Sequence, residues 1–309
     1  MKQLMLGNQA VARGLWQAGC QVVSSYPGTP STEITEFAST YPELYTEWAP
    51  NEKVAYEAAM GASIGGARAF CAMKHVGLNV AADPLFTTAY TGVGGGMVAA
   101  VADDQGMHSS QNEQDSRNYA VAAKVPMVEP ADSQECASYT QEAFRLSEEY
   151  DTPVLLRLST RVSHSQSLVE LADRQDLPLK TYQKDPGKYV MMPANAKKRR
   201  LVVEERMKSL LDYAETTPLN RVEEGSDRRI GVITAGICYQ YVREAMPEAP
   251  VLKLGLLNPL PVDLIKKFAA TVDTVVVAEE LDPVIETHCL AIGVAVKGRE
   301  LFGGIGELS

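Results

Sequence analysis

A glutamate stands directly after an asparagine in Asn51-Glu-Lys-Val-Ala-Tyr-Glu-Ala-Ala-Met-Gly61, where Asn51 is a good N-cap for a helix that runs on to about Arg68. A glutamate so placed is ordinarily a first-turn carboxylate favoured by the helix dipole. The residues that follow argue for more. Ala55, Ala58, Ala59, Gly61 and Ala62 are small, so another surface can approach the helix closely and meet Glu52. A second candidate is Tyr26-Pro-Gly-Thr-Pro30, a turn at the end of an apolar strand, where α/β proteins place their ligands. Other chemistries lack their residues. There is no G-x-x-x-x-G-K-[ST] loop and no G-x-S-x-G elbow, and Gly92-Val-Gly-Gly-Gly96 fails G-x-G-x-x-G because position 97 is Met. Five scattered cysteines form no C-x-x-C pair, and four scattered histidines form no zinc motif, so neither a disulfide framework nor a metal site is expected.

The elements that must position these residues are those of an α/β protein. Strands are expected at 21–26, 44–48, 69–74, 97–102 and 154–158. Helices are expected at 8–20, 31–39, 51–68, 81–91 and 133–150, and 103–118 reads as a long polar loop. Helices alternating with apolar strands imply a parallel sheet covered on both faces. From about 162 to 227 the pattern changes to a linker or extension, with a helix near 201–213 and a Lys197-Lys-Arg-Arg200 cluster that reads as a solvated face. A second α/β unit follows over 228–309, with strands at 229–235, 251–254 and 271–279 and a proline-rich corner at Leu257-Asn-Pro-Leu-Pro261. With 309 residues and 45% hydrophobic content, two cores of ordinary size are attainable. A net charge of -10 offers no field for nucleic acid or an anionic membrane. The sequence shows neither a membrane span nor a signal peptide, and a soluble, cytoplasmic protein is expected.

Several stretches carry a family likeness. Glu52 followed by small residues resembles the pyrimidine-binding helix of thiamine-diphosphate enzymes, and Tyr26-Pro-Gly-Thr-Pro-Ser-Thr-Glu33 is similar to the Y-P-x-T-P-S segment of 2-oxoacid:ferredoxin oxidoreductases. Residues 73–85 and 103–117 resemble the α subunits of the indolepyruvate type. Leu256-Leu-Asn-Pro-Leu-Pro261 and Val276-Val-Ala-Glu-Glu280 resemble that family's next domain, of the transketolase C-terminal kind. The resemblance thus implies a pyrimidine-binding domain over 1–162 and a transketolase C-terminal-like domain over 228–309. It also implies that Glu52 hydrogen-bonds N1′ of the cofactor's aminopyrimidine, so that the 4′ nitrogen can remove the thiazolium proton. Tyr26, Gly28 and Thr29 would join the cofactor site. Thr29, Lys74, His75, Asn79, His108 and Arg117 would face the substrate, Arg117 pairing with its carboxylate. Outside the resemblance, Arg117 reads as a salt-bridge partner, and Lys74, His75, Asn79 and His108 could each satisfy a buried loop.

The implied reaction is oxidative decarboxylation of an arylpyruvate-type 2-oxoacid to an acyl-coenzyme A, with electrons passed to iron–sulfur clusters and ferredoxin. Family α subunits continue into a diphosphate-binding domain with G-D-G and into a cysteine-bearing tail, and the 309 residues hold neither. Mg²⁺ and [4Fe-4S] clusters are therefore expected on a partner polypeptide or on a segment beyond this sequence, with the active assembly a symmetric hetero-oligomer. Two other readings stay open at this point. One is the pyrimidine-domain subunit of a split transketolase-like transferase, and the other a non-catalytic module that keeps the fold.

Overall fold

The computed structural model describes residues 1–308. Its first part runs β1 (Lys2–Leu6), α1 (Gly7–Gln17), β2 (Val22–Ser25), α2 (Thr32–Ala38), β3 (Tyr45–Trp48), α3 (Glu52–Ile64) and β4 (Ala69–Lys74). There follow α4 (His75–Thr91), β5 (Met97–Asp103), α5 (Arg117–Ala123), β6 (Met127–Val128), α6 (Ser133–Tyr150), β7 (Val154–Ser159) and α7 (Thr160–His164). The intervening stretch holds β8 (Gln166–Glu170), α8 (Pro186–Tyr189), α9 (Pro193–Ala214) and β9 (Arg221–Glu223). The last part runs β10 (Ile230–Ala235), α10 (Gly236–Ala245), β11 (Val251–Leu254), β12 (Leu256–Asn258), α11 (Asp263–Ala269), β13 (Thr274–Ala278), α12 (Val284–Ala291) and α13 (Arg299–Phe302).

Seven strands form the main sheet in the order β12-β6-β7-β5-β4-β2-β3, all parallel except β12, which runs antiparallel to β6. Every residue of β5 and β7 is buried, as a parallel sheet covered on both faces requires. The two-residue period sorts them. Met97, Ala99 and Val101 pack with Tyr56, Leu78 and Leu85, while Val98, Ala100 and Ala102 pack with Leu15, Ile34 and Phe144. The first of these cores continues into the last part of the chain through Ile233, Leu252 and Phe268. That part builds its own sheet, β13-β10-β11-β9, parallel but for β9. Both sheets thus match the expected α/β architecture.

Local signals set the element ends. Asn51 Oδ1 accepts the Val54 amide at 3.0 Å, and Asp132 Oδ1 accepts the Glu135 amide at 2.8 Å, so α3 and α6 are both side-chain capped. Gly66, at φ +101, turns the chain out of α3, and a Cβ there would lie 2.0 Å from the Lys180 carbonyl oxygen. Three expectations need correction. Helix α4 begins at His75 rather than near residue 81, because Gly77 and Pro84 weaken a helical signal that tertiary packing then overrides. Helix α9 begins eight residues before the expected 201. The Lys197–Arg200 cluster is only partly a solvated face. Arg199 donates to the Tyr90 carbonyl at 2.6 Å and to Asp151 at 3.1 Å, and buried Arg206 donates to the Ala89 carbonyl at 2.7 Å. These guanidiniums satisfy the free carbonyls at the C-terminal end of α4.

Candidate active site

Strands β2, β4, β5 and β7 all end on one edge of the sheet, and the segments that leave them carry the candidate residues. The turn after β2 is tied by its own hydroxyls. The Gly28 carbonyl accepts the Ser31 amide and hydroxyl, each at 2.8 Å, and the Gly28 amide donates to Thr32 Oγ1 at 2.8 Å. Buried Asn8 donates to the Pro30 carbonyl at 2.7 Å and to Glu33 at 2.9 Å, anchoring the turn on α1 and α2. Thr29, next to a cis-proline, and Tyr26 are left exposed. Gly28 lies against the methylenes of Lys74, whose ammonium donates to the Ser109 carbonyl at 2.7 Å. Lys74 therefore joins the turn to the loop that leaves β5.

Glu52 opens α3 beside this turn, half-buried, and no hydrogen bond or ion pair among the described residues engages its carboxyl. Its neighbour Lys53 pairs instead with Asp83 at 2.9 Å. The carboxyl rests against Gly77 in the first turn of α4. Two residues earlier, His75 is buried, with Nε2 3.0 Å from the Asn112 carbonyl oxygen. A carbonyl only accepts, so Nε2 carries the proton, and Nδ1 has no partner among the described residues. Asn79 is exposed one turn on and accepts the Tyr119 hydroxyl at 2.5 Å. The unengaged Glu52 carboxyl, the exposed Thr29 and the Gly77 turn of α4 lie at the same edge of the sheet.

His108 and Arg117 both form ion pairs. His108 is exposed on the β5 loop, 3.2 Å from Glu307, which also pairs with Arg161 at 2.6 Å. Arg117, expected to pair with a substrate carboxylate, is buried and bonded to groups of this chain. Its side chain is 3% exposed and clasps Asp115 at 2.5 Å, Glu279 at 2.5 Å, and the Glu280 and Asp282 carbonyls at 2.8 Å each. Its Nε, its Nη2 and one Nη1 donor are all engaged by groups of the protein. Next to it Arg157 holds Asp103 at 2.8 Å and Glu129 at 2.5 Å. Burial opposes the charge of Asp115, but Arg117 and then Arg157 hold its carboxyl down at about 2. Arg117, through Glu279, Glu280 and Asp282, binds the first sheet to the last part of the chain, while Arg157 ties together groups of the first part.

Asp104 is a residue that sequence reasoning passed over. Burial opposes its charge, but Ser110, Ser109, Thr160 and Lys74 together hold its carboxyl below the usual range. Its oxygens take the Ser109 amide at 2.8 Å, the Ser110 hydroxyl at 2.6 Å and the Thr160 hydroxyl at 2.8 Å. It thereby shapes the loop that carries His108. The only available signal was a second aspartate at the end of a buried strand.

Glu280 gives a pH prediction. Burial pushes its carboxyl up to about 7, against the Leu308 amide and Arg157, with Glu307 and Glu129 adding like charge. A raised carboxyl means that the folded chain binds a proton the unfolded chain has lost. Its contribution is present below the ordinary value of 4.5 and is lost as pH rises through about 7. Glu280→Gln, which needs no proton, is expected to be more stable than the parent at pH 8 by up to about 3 kcal/mol. At pH 4 the two should coincide. Urea titrations at both pH values measure this, and a pH-independent difference would contradict it.

Residues 13–226 match the family model described as pyruvate flavodoxin/ferredoxin oxidoreductase, thiamine diP-bdg. The chain is 44% identical over 315 residues to the indolepyruvate oxidoreductase subunit IorA of Archaeoglobus fulgidus, covering 98% of this chain and 50% of that one. It thus spans about half the length of the curated relatives it matches most strongly. Among solved structures, the 2-oxoglutarate:ferredoxin oxidoreductase of Magnetococcus marinus superposes with a TM-score of 0.77 at 21% identity, over 96% of this chain and 61% of that one. A split-gene transketolase, described as an inactive beta4 tetramer, gives 0.59 at 17% identity, over 98% of this chain and 88% of that one. Both structures share the fold. Among the described residues, no helix is long and apolar enough to cross a membrane. From the match over 13–226, the chain belongs to the thiamine diphosphate-binding family of pyruvate flavodoxin/ferredoxin oxidoreductases.

Proposed function

We propose that this chain supplies the pyrimidine side of a thiamine diphosphate site in a 2-oxoacid:ferredoxin oxidoreductase that acts on arylpyruvates such as indolepyruvate. The observation that carries this reading is the unengaged Glu52 carboxyl at the head of α3, facing Gly77 in a chain 44% identical to an indolepyruvate oxidoreductase subunit. When bound, thiamine diphosphate supplies a carbon nucleophile for the 2-oxo group and a sink for the electron pair released with CO₂.

The remaining tasks fall to this chain's side chains. Glu52 holds a hydrogen bond, and at need a proton, at the pyrimidine N1′, a general acid–base task for which a side-chain carboxyl is suited. The turn at Tyr26, Gly28 and Thr29 borders the cofactor, and the Thr29 hydroxyl is free to donate to the substrate's ketone or carboxylate. Lys74 and His75 hold the β5 loop in place through Ser109 and Asn112, so they shape the substrate pocket, with Asn79 and His108 at its rim. The diphosphate, Mg²⁺, the iron–sulfur clusters and the coenzyme A site fall to a partner polypeptide or a further segment. Ferredoxin takes the electrons, and the assembly is a symmetric hetero-oligomer.

The test is to combine the chain with the diphosphate-binding, cluster-bearing part and follow ferredoxin reduction with indolepyruvate and coenzyme A. Phenylpyruvate, pyruvate and 2-oxoglutarate serve as comparison substrates. Reduction should depend on thiamine diphosphate and be fastest with an arylpyruvate. An assembly that binds the cofactor but reduces ferredoxin with no 2-oxoacid would sink the proposal. Ketol transfer between sugar phosphates would move it to the transketolase class.

A further inference from the structure

Gly77 sits in the first turn of α4, buried, with no positive φ that would demand a glycine. Alanine is the better helix former at such a place, so local structure does not explain the residue. Its surroundings do. A Cβ built on Gly77 meets first the Oε1 of Glu52 at 2.5 Å, then its Cγ at 2.7 Å and its Cδ at 2.9 Å. The nearest three atoms all belong to one flexible side chain, and no backbone stands closer. A methyl group could therefore be fitted at little cost to the fold, by swinging the Glu52 carboxyl away.

From this we infer that Gly77 is a positioning residue. Its missing side chain is the space that fixes where the Glu52 carboxyl stands, and any larger residue moves that carboxyl off its ligand. The inference rests on the proposed role of Glu52. Aligned acid–base contacts tolerate little displacement, and a shift of about 1 Å can cost on the order of 10²-fold in rate. His75, one face away on the same turn, is held through its own contact with Asn112, so the turn itself stays anchored when residue 77 changes.

The experiment compares Glu52→Gln, Glu52→Ala, Gly77→Ala and the double variant Glu52→Ala/Gly77→Ala in the assembled enzyme, reading kcat, KM and melting temperature. Gly77→Ala is expected to lower kcat by about 10²-fold with KM for the 2-oxoacid little changed. Stability is the independent readout. With Glu52 truncated the space is empty, so Gly77→Ala should then leave the melting temperature unchanged or raise it by a few degrees. Relief of any stability loss in the Glu52→Ala background, including recovery of folding, supports the inference. An equal loss in both backgrounds overturns it, since Gly77 would then serve packing in general. Normal turnover in Gly77→Ala with turnover lost in Glu52→Gln overturns it alone. Normal turnover in Glu52→Gln overturns the role of Glu52 and this inference with it.

Discussion

Glu52→Gln lowers turnover of the assembled enzyme by about 10²–10⁴-fold and leaves the fold nearly as stable as before. Glutamine has the same shape, so the packing against Gly77 and the Asn51 cap with its 3.0 Å bond to Val54 both survive. What is lost is the ability to hold a proton at the carboxyl position. The stability effect is small because Glu52 has no ion-pair partner among the described residues, and only its favourable place at the helix N-terminus is removed, worth roughly 0.3–1 kcal/mol. Cofactor affinity is expected to fall far less than kcat, since an amide still offers a hydrogen bond to a ring nitrogen. Steady-state rates together with cofactor titration separate the two. A variant that keeps decarboxylating at the parent rate would remove Glu52 from the chemistry.

The sequence exposed the site and the fold to different depths. Strand β4 and helix α6 have the expected limits, 69–74 and 133–150, because an apolar run or a strong amphipathic face carries its own boundaries. Glu52 was legible because its cap and the small residues after it lie within eleven positions of it. Partners far along the chain were not legible. The pairing of β1 with β8 joins Lys2 to Glu170, and β12 leaves its own neighbours to extend the first sheet beside β6. Nothing in either segment's period names its partner. Nothing in the local sequence marks Gly77, whose nearest neighbour is a side chain 25 positions earlier. Arg117 shows the same limit for charge. The motif around it suggested an anion, but its anions are Asp115, two residues away, and Glu279, 162 residues away.

That placement makes Arg117→Met the most destabilising change expected in the chain. Methionine fills much of the volume but leaves Glu279, at 8% exposure, without its cation and Asp115, at 1%, with only the more distant Arg157 at 3.9 Å, and the Glu280 and Asp282 carbonyls lose a donor. Breaking a buried pair by removing one partner typically costs about 3–5 kcal/mol, a large share of a usual folding stability. The acid limb of the stability curve should change as well. In the parent, the Asp115 carboxyl is held at about 2, below its ordinary 3.8. Its contribution is therefore present above that ordinary value and lost as pH falls through about 2. Without Arg117 the main opposition to burial is gone, so this acid-side loss should flatten or reverse. The damage also falls at the junction of the two sheets, which gives a spectroscopic signature. Both tryptophans, Trp16 and Trp48, lie in the first part of the chain, so their fluorescence reports that part while circular dichroism reports the whole. Urea transitions by the two probes should coincide in the parent and separate in Arg117→Met, with the last part unfolding first. A substrate-ligand role makes the opposite forecast: stability within about 1 kcal/mol of the parent and a raised KM. Arg117 is buried and already bonded to Asp115, Glu279 and two backbone carbonyls before any substrate arrives, and for that reason the loss should appear in the unfolding curve.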